Sequence, residues 1–231
     1  MTLTSLLNNF SSMELIIGDD ITLDNDHNYY YKGDLITGAI STTQFMSQQW
    51  PELFKFDPKY IPEDKLLEAR VVGNTIHKLI ELGKFETFVY REIDASVPYY
   101  LDKENILSEL RFWNTKYNVV GSIDQLALMY TNVSTGDYTK SHNVFYMEDF
   151  KVTSAKYLSK KKQYANYQTL IYMLCIKPLI DWIPSNNPAT LERRLGFIAK
   201  DKDFKYEAYE LKDNTKLIQE IERKLQERIN E

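Results

Sequence analysis

The chain has little of the chemistry that cross-links or anchors many proteins. Its 231 residues contain one cysteine, Cys175, so no disulfide, no cysteine-rich zinc site and no four-cysteine iron–sulfur cluster can form within it. The longest apolar run covers only residues 170–176, far short of a membrane span. Residues 1–12 lack a basic segment followed by an apolar one, so we expect no signal peptide. A soluble, globular, cytoplasmic protein is expected.

The chain also lacks an excess of positive charge. It has 28 Lys and Arg against 33 Asp and Glu, for a formal net charge of −5. This balance excludes a protein that is held to nucleic acid by bulk positive charge. It leaves room for a local basic groove, because net charge does not describe how charges are arranged. The 43% hydrophobic content is enough for a sizeable core in one large domain.

Periodicity and capping signals predict an α/β domain with a central mixed sheet flanked by helices. A hairpin is expected within residues 21–36, and helices are expected to begin at Ser41 and Pro62. Strands are expected over residues 106–112, 117–130 and 144–153, with the polar segment 131–143 as a turn-rich connection. A helix over 160–176, strands over 193–199 and 205–211, and a helix over 212–230 complete the prediction.

An acid and a lysine interrupt an apolar strand face near the middle of the chain. Because side chains alternate along a strand, Asp149 and Lys151 share a face with Phe145 and Met147, while Glu148 points the other way. Burying two charged groups there is costly unless they have partners. The alternative interpretation is a solvent-facing ion pair on an edge strand.

A second acid, Asp124, lies on the preceding strand. It is expected to share a face with Val120, Leu126 and Leu128. The two strands pair naturally as a hairpin, which would bring Asp124 close to Asp149. Two carboxylates in one place repel each other unless a cation lies between them, and Mg²⁺ or Mn²⁺ prefers such oxygen ligands. Alternatively, Asp124 is a turn or cap acid.

Two predicted helices carry polar pairs spaced four residues apart. Gly73 and His77 share one helix face, and a glycine inside a helix suggests close approach of another backbone or of a ligand. Gln168 and Tyr172 share a face of the later helix. Taken alone, His77 is better explained by a structural role, and the second pair by an ordinary polar shoulder of an amphipathic helix.

Basic and aromatic residues alternate at the start of the later helix. They are Lys156, Lys160, Lys161 and Lys162, among Tyr157, Tyr164 and Tyr167. Such a mixture can contact the phosphates of a nucleic acid strand and stack against its bases. A solvated helix start is the alternative interpretation.

Four short motifs occur together in a defined order. They are Gly73-x3-His77, Gly121-x-Ile123-Asp124, Asp149-x-Lys151 and Gln168-x3-Tyr172. In this order the chain resembles the RecB-type branch of the PD-(D/E)xK nuclease superfamily, and most of all its small phage-type and mitochondrial genome-maintenance exonucleases. The likeness covers residues 26–172. It implies a restriction-endonuclease-like core in a single domain, with a lead-in over 1–60, a catalytic core over 61–177 and closing elements over 178–231.

The resemblance also implies roles for individual residues. The implied metal ligands are His77, Asp124, Asp149 and the backbone carbonyl of Phe150. Lys151 corresponds to the lysine that orients the attacking water and stabilises developing charge. Gln168 and Tyr172 correspond to a pair that supports the site and contacts DNA, and Glu109 to an acid that some members carry. The implied cofactor is one or two Mg²⁺ or Mn²⁺ ions, without an iron–sulfur cluster.

The expected function is metal-dependent hydrolysis of DNA from strand ends, on DNA that is single-stranded or has free ends. Three alternatives stay open: an endonuclease acting on flaps or structured DNA, a non-catalytic module that binds DNA or a partner, and a plain α/β protein with chance motif matches. The lysine- and tyrosine-rich composition is compatible with a phage-encoded protein that acts in the host cytoplasm.

Overall fold

A mixed sheet of seven strands, flanked by helices, forms the centre of the α/β fold. The computed structural model describes residues 2–24, 26–54, 62–87, 105–135, 138–183 and 189–229, with 129–135 and 138–143 described by their backbone. The helices are α1 (Leu3–Asn9), α2 (Thr42–Gln49), α3 (Glu63–Glu81), α4 (Leu158–Cys175), α5 (Lys177–Asp181) and α6 (Thr215–Ile229). In these described segments, no helix combines the length and apolar character needed to cross a bilayer.

The strands form two sheets. They are β1 (Leu15–Ile17), β2 (Ile21–Leu23), β3 (Tyr29–Tyr31), β4 (Asp34–Leu35), β5 (Ile40–Ser41), β6 (Ile106–Asn114), β7 (Val119–Thr135), β8 (Tyr138–Thr153), β9 (Ala189–Ala199) and β10 (Lys205–Glu210). The large sheet has the order β1-β6-β7-β8-β9-β10, and β5 also pairs with β7. The β5–β7 and β8–β9 pairs are parallel and the others antiparallel. Strands β2, β3 and β4 form the small sheet, which contains the predicted hairpin.

Most helix boundaries follow the signals in the sequence. Ser41 caps α2 through a capping box with Gln44, in which each side chain bonds the other residue's backbone N–H. Helix α3 begins after Pro62 with two acids in its first turn. Their negative charges interact favourably with the positive end of the helix dipole. Gly83 follows α3 with a φ of 63°, a left-handed conformation that suits glycine after a helix end.

The hairpin of β7 and β8 is longer than predicted. Its ladder runs from Gln125↔Glu148 to Thr135↔Tyr138, so the expectation of a turn-rich connection over residues 131–143 is wrong. The segment is polar, but it is rich in Thr, Ser, Val and Tyr, most of which suit strands, and antiparallel strands tolerate polar faces. Residues 136 and 137 lie outside the described part of the chain.

The N-terminal segment contributes core elements that the sequence patterns did not reveal. Leu3 and Leu6 of α1 are fully buried, and Leu15 of β1 joins them in the main core. The same core contains Leu225 of α6 near the other end of the chain. Elements this short carry too few residues to show a period of 2 or 3.6, so periodicity could not detect them.

The alternation of faces along β6 and β7 shifts near the middle of both strands. Leu107 and Leu110 are three residues apart, yet both pack on the main core. Ile123 and Leu126, on the partner strand, do the same. Strict alternation would place residues three apart on opposite faces. Both strands therefore change faces at the same level of the sheet.

Glu109 and Asp124 lie at this shift. The ladder pairs Ser108 with Gln125 and Leu110 with Ile123, so Glu109 and Asp124 stand opposite each other between two regular pairs. Glu109 has a φ of 53°, a left-handed conformation that is uncommon for a residue with a side chain.

The shift alters the expected surroundings of Asp124. The structure places Val119 and Ile123 in the main core and leaves Val120 out of that cluster. The prediction that Asp124 shares one continuous apolar face with Val120, Leu126 and Leu128 is therefore wrong, because it assumed unbroken alternation and Val120 lies outside the cluster that contains Leu126 and Leu128.

Two glycines differ in how closely other atoms approach them. At Gly196 of β9, an added Cβ would lie 2.3 Å from Cδ1 of Phe150 and 2.7 Å from Oε1 of Glu148. At Gly73 of α3, an added Cβ would meet no atom of the described residues within 4 Å. Within the described ranges the close approach expected at Gly73 is therefore not found, whereas Gly196 makes room for the ring of Phe150.

Replacing these glycines with alanine should have opposite effects on stability. We expect Gly196→Ala to lower the free energy of unfolding by about 1–3 kcal/mol, because the methyl group overpacks the space beside Phe150. Gly73→Ala is the matched control and should raise it by up to about 1 kcal/mol through helix propensity. Chemical denaturation measures both. Equal stability of Gly196→Ala and the wild type would contradict the packing described here.

Candidate metal and active site

Three potential metal ligands from three different elements meet beside the sheet. His77 is on α3, Glu109 on β6 and Asp124 on β7. One ligand atom from each lies within 4.8 Å of the others, and Nδ1 of His77 is 3.6 Å from Oε1 of Glu109. The face shift at Glu109 lets its side chain reach the helix while Asp124 stays on the neighbouring strand. The result is a compact group of one imidazole and two carboxylates.

Asp124 is held at the junction of β7 and β8. Its Oδ2 accepts a hydrogen bond of 2.7 Å from the backbone N–H of Phe150. Burial, together with the negative charge of Asp149, raises the pKa of Asp124 to about 7. A carboxylate in this position is therefore stabilised by any additional positive charge that comes close to it.

Asp149 and Lys151 form a buried ion pair on β8. Nζ of Lys151 lies 2.7 Å from both carboxylate oxygens and donates a hydrogen bond to Oδ1. In the described structure the buried Oδ2 has this ion-pair contact but no hydrogen bond. Burial lowers the pKa of Lys151, but the charges of Asp149 and Asp124 outweigh it, so the net shift is upward. Lys151 is thus kept as an ammonium ion.

His77 and Glu109 stabilise each other's charged forms. Burial lowers the pKa of His77, but the Glu109 carboxylate 3.6 Å away and the charge of Asp124 more than offset it. Burial raises the pKa of Glu109, but the interactions with His77 outweigh it and lower the pKa. The hydroxyl of Ser122 also donates a 3.1 Å hydrogen bond to Oε2 of Glu109. These contacts orient Glu109 toward the shared site.

Gln168 and Tyr172 lie behind the carboxylates. Nε2 of Gln168 donates a 2.7 Å hydrogen bond to the hydroxyl oxygen of Tyr172, whose ring packs edge-on against Phe112. Burial, and then the charges of Asp149 and Asp124, raise the pKa of Tyr172 well above its ordinary value. Gln168 and Tyr172 are only 7% and 4% exposed, which favours a supporting role over direct contact with DNA.

The lysines at the start of α4 have different surroundings. Nζ of Lys162 lies 3.5 Å from the ring centroid of Tyr209. Nζ of Lys161 lies 5.8 Å from the ring centroid of Tyr164, the ring that Lys151 approaches to 5.5 Å. Lys160 is exposed. Of the three lysines that the sequence singled out together, Lys161 therefore shares a ring with the Asp149–Lys151 pair.

The structure brings most of the predicted site residues together, with two differences. Glu109, which the sequence suggested only through the resemblance, joins His77 and Asp124, whereas Asp149 contacts Lys151. For Phe150, the described contact is made by its backbone N–H. Ser122 was missed as a contributor. Pairing the predicted β6 and β7 strands in sequence would have placed Glu109 opposite Asp124. The direction of the Glu109 side chain, however, depends on the left-handed backbone conformation at Glu109.

Comparison of the chain with protein-family models, with curated proteins and with solved structures found no match. The site is therefore interpreted from its own residues and geometry.

Glu148 points to the opposite side of β8 from Asp149 and Lys151, as the strand period predicted. It is only 1% exposed and accepts a hydrogen bond from the hydroxyl of Tyr206. Its Oε2 has no hydrogen bond in the described structure. Burial raises the pKa of Glu148 to about 7. An ionised Glu148 therefore destabilises the folded state.

Replacing Glu148 should make stability less dependent on pH. The folded pKa exceeds the unfolded value near 4.5, so the folded state binds this proton more tightly and the wild type loses stability as pH rises between the two values. Glu148→Gln removes this loss. Its stability relative to the wild type should improve by roughly 2 kcal/mol between about pH 5 and about pH 8.

Chemical denaturation in EDTA at several pH values measures this difference. Glu52→Gln, at an exposed position, is the control. A constant difference between Glu148→Gln and the wild type across this pH range would show that Glu148 has no raised pKa in the folded protein.

Proposed function

We propose that the protein is a Mg²⁺- or Mn²⁺-dependent nuclease that hydrolyses phosphodiester bonds from DNA ends. The observation that carries this proposal is the convergence of His77, Glu109 and Asp124 within 4.8 Å, beside a buried Asp149–Lys151 pair. Few structural roles require three metal-ligand side chains and a lysine at one point of a sheet. The central mixed sheet flanked by helices agrees with the restriction-endonuclease-like fold that the motifs imply.

The residues present fit a divalent metal ion. Two carboxylates and an imidazole are ligands that Mn²⁺ accepts, and the oxygens suit Mg²⁺. The raised pKa of Asp124 reflects its burial first and the nearby charge of Asp149 second, and a cation bound beside it would oppose both effects. Oδ2 of Asp149, buried and without a hydrogen bond in the described structure, is a further potential ligand atom. A bound divalent ion supplies Lewis-acid stabilisation of the charge on a phosphodiester.

Lys151 supplies a fixed positive charge next to these ligands. The Asp149 carboxylate holds its ammonium group at 2.7 Å, so the lysine does not have to reorganise when a substrate arrives. Prearranged donors of this kind stabilise the negative charge that develops on phosphoryl oxygens during hydrolysis. Tyr172 and Gln168, which are buried and hydrogen-bonded to each other, are near enough for the charges of Asp149 and Asp124 to raise the pKa of Tyr172.

The choice of DNA as the substrate rests on the ordered motifs and on the lysines and tyrosines at the start of α4. Lys151 and Lys161 both approach the ring of Tyr164, and basic groups interleaved with aromatic rings suit a nucleic acid strand. Action from strand ends follows from the resemblance to small exonucleases.

Metal binding is the first test of the proposal. We expect Mn²⁺ to bind the wild type in isothermal titration calorimetry. His77→Ala and Glu109→Gln should each weaken binding by at least about tenfold, because each removes one ligand. Glu68→Gln, an exposed acid on the same helix as His77, is the matched control. Wild-type affinity in both ligand variants would contradict this ligand set.

Nuclease activity is tested with end-labelled linear DNA and closed circular DNA in Mg²⁺, Mn²⁺ or EDTA. We expect metal-dependent degradation of the linear DNA and no cleavage of the circle. Lys151→Ala should reduce the rate by at least about 100-fold, the effect of removing a prearranged charge-stabilising donor, while circular dichroism shows that it still folds.

The other outcomes separate the alternatives. Cleavage of the circle would indicate an endonuclease, and DNA binding without cleavage would indicate a non-catalytic module. Full activity of a folded Lys151→Ala variant would overturn the proposed role of the lysine.

A further inference from the structure

Lys161 is a half-buried lysine without a carboxylate partner. Its side chain lies against α4, and its Nζ is 5.8 Å from the ring centroid of Tyr164. Within the described ranges, no acidic oxygen lies within ion-pair distance of it. By contrast, Lys151 approaches the same ring to 5.5 Å and has Asp149 as its partner. Two ammonium groups therefore face one aromatic ring, and one carboxylate pairs with only one of them.

The charge on Lys161 is poorly compensated as a result. Burial lowers its pKa and the positive charge of Lys151 lowers it further, while the more distant charge of Asp149 offsets only part of this shift. The ring of Tyr164 offers a cation–π interaction, which is weaker than an ion pair with a carboxylate in partly dry surroundings. An anion placed between Lys161 and the site would stabilise both lysines. The position is thus suited to a negatively charged ligand.

Tyr164 is held firmly enough to form one wall of such a position. Its ring packs edge-on against Phe54, with ring centroids 5.4 Å apart. Burial raises the pKa of Tyr164, and the charge of Lys151 and a hydrogen bond with the side chain of Thr43 oppose that shift. Thr43 lies in the first turn of α2. The ring that Lys151 and Lys161 approach is therefore fixed by packing between α4 and the segment that follows α2.

We propose that Lys161 and Tyr164 form a phosphate subsite next to the cleavage site: Lys151 faces the phosphate that is hydrolysed, and Lys161 binds the adjacent phosphate of the same DNA strand. This inference rests on the proposed nuclease function. The subsite fixes the position of the strand relative to Lys151, so Lys161 is a positioning residue. Two consecutive phosphates of one strand would then be bound, one by Lys151 and the other by Lys161.

The neighbouring lysines distinguish a defined subsite from a diffuse basic surface. Lys162 points to β10, where it contacts the ring of Tyr209, and Lys160 is exposed. If general positive charge attracted the DNA, loss of any of these charges would have a similar effect. If a subsite exists, replacing Lys161 weakens DNA binding the most. The replacement of Lys161 is then also the only one of the three whose effect disappears when one particular phosphate is neutralised.

The first measurement is DNA binding in EDTA, where cleavage does not occur. A labelled single-stranded oligonucleotide is titrated at several salt concentrations with the wild type, Lys161→Met and Lys162→Met. Lys161→Met should weaken binding about tenfold and reduce the salt slope by about 0.7, the value for one lost phosphate contact. Lys224→Met is the matched control, because Lys224 also lies over a ring, that of Trp50, at 5.1 Å.

The second measurement identifies the phosphate. Oligonucleotides that carry one uncharged methylphosphonate at successive linkages from each end are bound to the wild type and to Lys161→Met. In the wild type, Lys161 should contact the phosphate of one particular linkage. Replacing that phosphate with a methylphosphonate should weaken binding about tenfold. In Lys161→Met, neutralising that same linkage should have little further effect. Tyr164→Phe should show the same methylphosphonate pattern as the wild type, and it should lose less DNA affinity than Lys161→Met.

Three outcomes would count against the subsite. Equal losses in Lys161→Met and Lys162→Met, or the same methylphosphonate pattern in Lys161→Met and the wild type, would overturn the subsite while leaving the nuclease proposal intact. A wild type that neither binds DNA in EDTA nor cleaves it with metal would overturn both proposals.

Discussion

The cost of burying negative charge governs the arrangement of this protein. Asp124 and Asp149 lie on adjacent strands of the central sheet; Asp149 is buried, Asp124 is half-buried, and their like charges repel. Unpaired, each carboxylate would strongly destabilise the folded state. Lys151 offsets part of this cost, and the backbone N–H of Phe150 stabilises Asp124. The remaining excess of negative charge makes the site suitable for a divalent cation.

A local change in the backbone brings a third acid to these two. Glu109 adopts a left-handed φ, which costs on the order of 1–3 kcal/mol when a non-glycine residue is held there. The surrounding ladder fixes the backbone on both sides of Glu109, so the conformation is maintained by regular pairs of the sheet. The strained backbone of Glu109 and the two acids Glu109 and Asp124 therefore lie at the same level of the sheet. His77 approaches this level from α3.

The sequence predicted those features that follow from local rules. The strand period placed Asp149 and Lys151 opposite Glu148, and capping signals located α2 and α3. Prediction from the sequence failed where tertiary structure overrides those local rules. The face shift at Asp124 depends on the conformation of Glu109, which no pattern of residue types announces. The long β7–β8 hairpin and the short α1 and β1 were missed because polarity was interpreted as a turn and because short elements have no detectable period.

The acidic net charge is compatible with the proposed DNA substrate because the charges are segregated. The acids of the candidate site lie in a half-buried cluster, where a metal ion would neutralise part of their charge, while Lys161 and Lys151 both approach the ring of Tyr164. A protein built this way attracts DNA weakly at long range, and screening by salt reduces that attraction further. The specific contacts must then come from a few positions beside the site. In the proposed exonuclease, weak attraction elsewhere would leave the strand free to advance after each cleavage, and the phosphates next to the site would hold it in register.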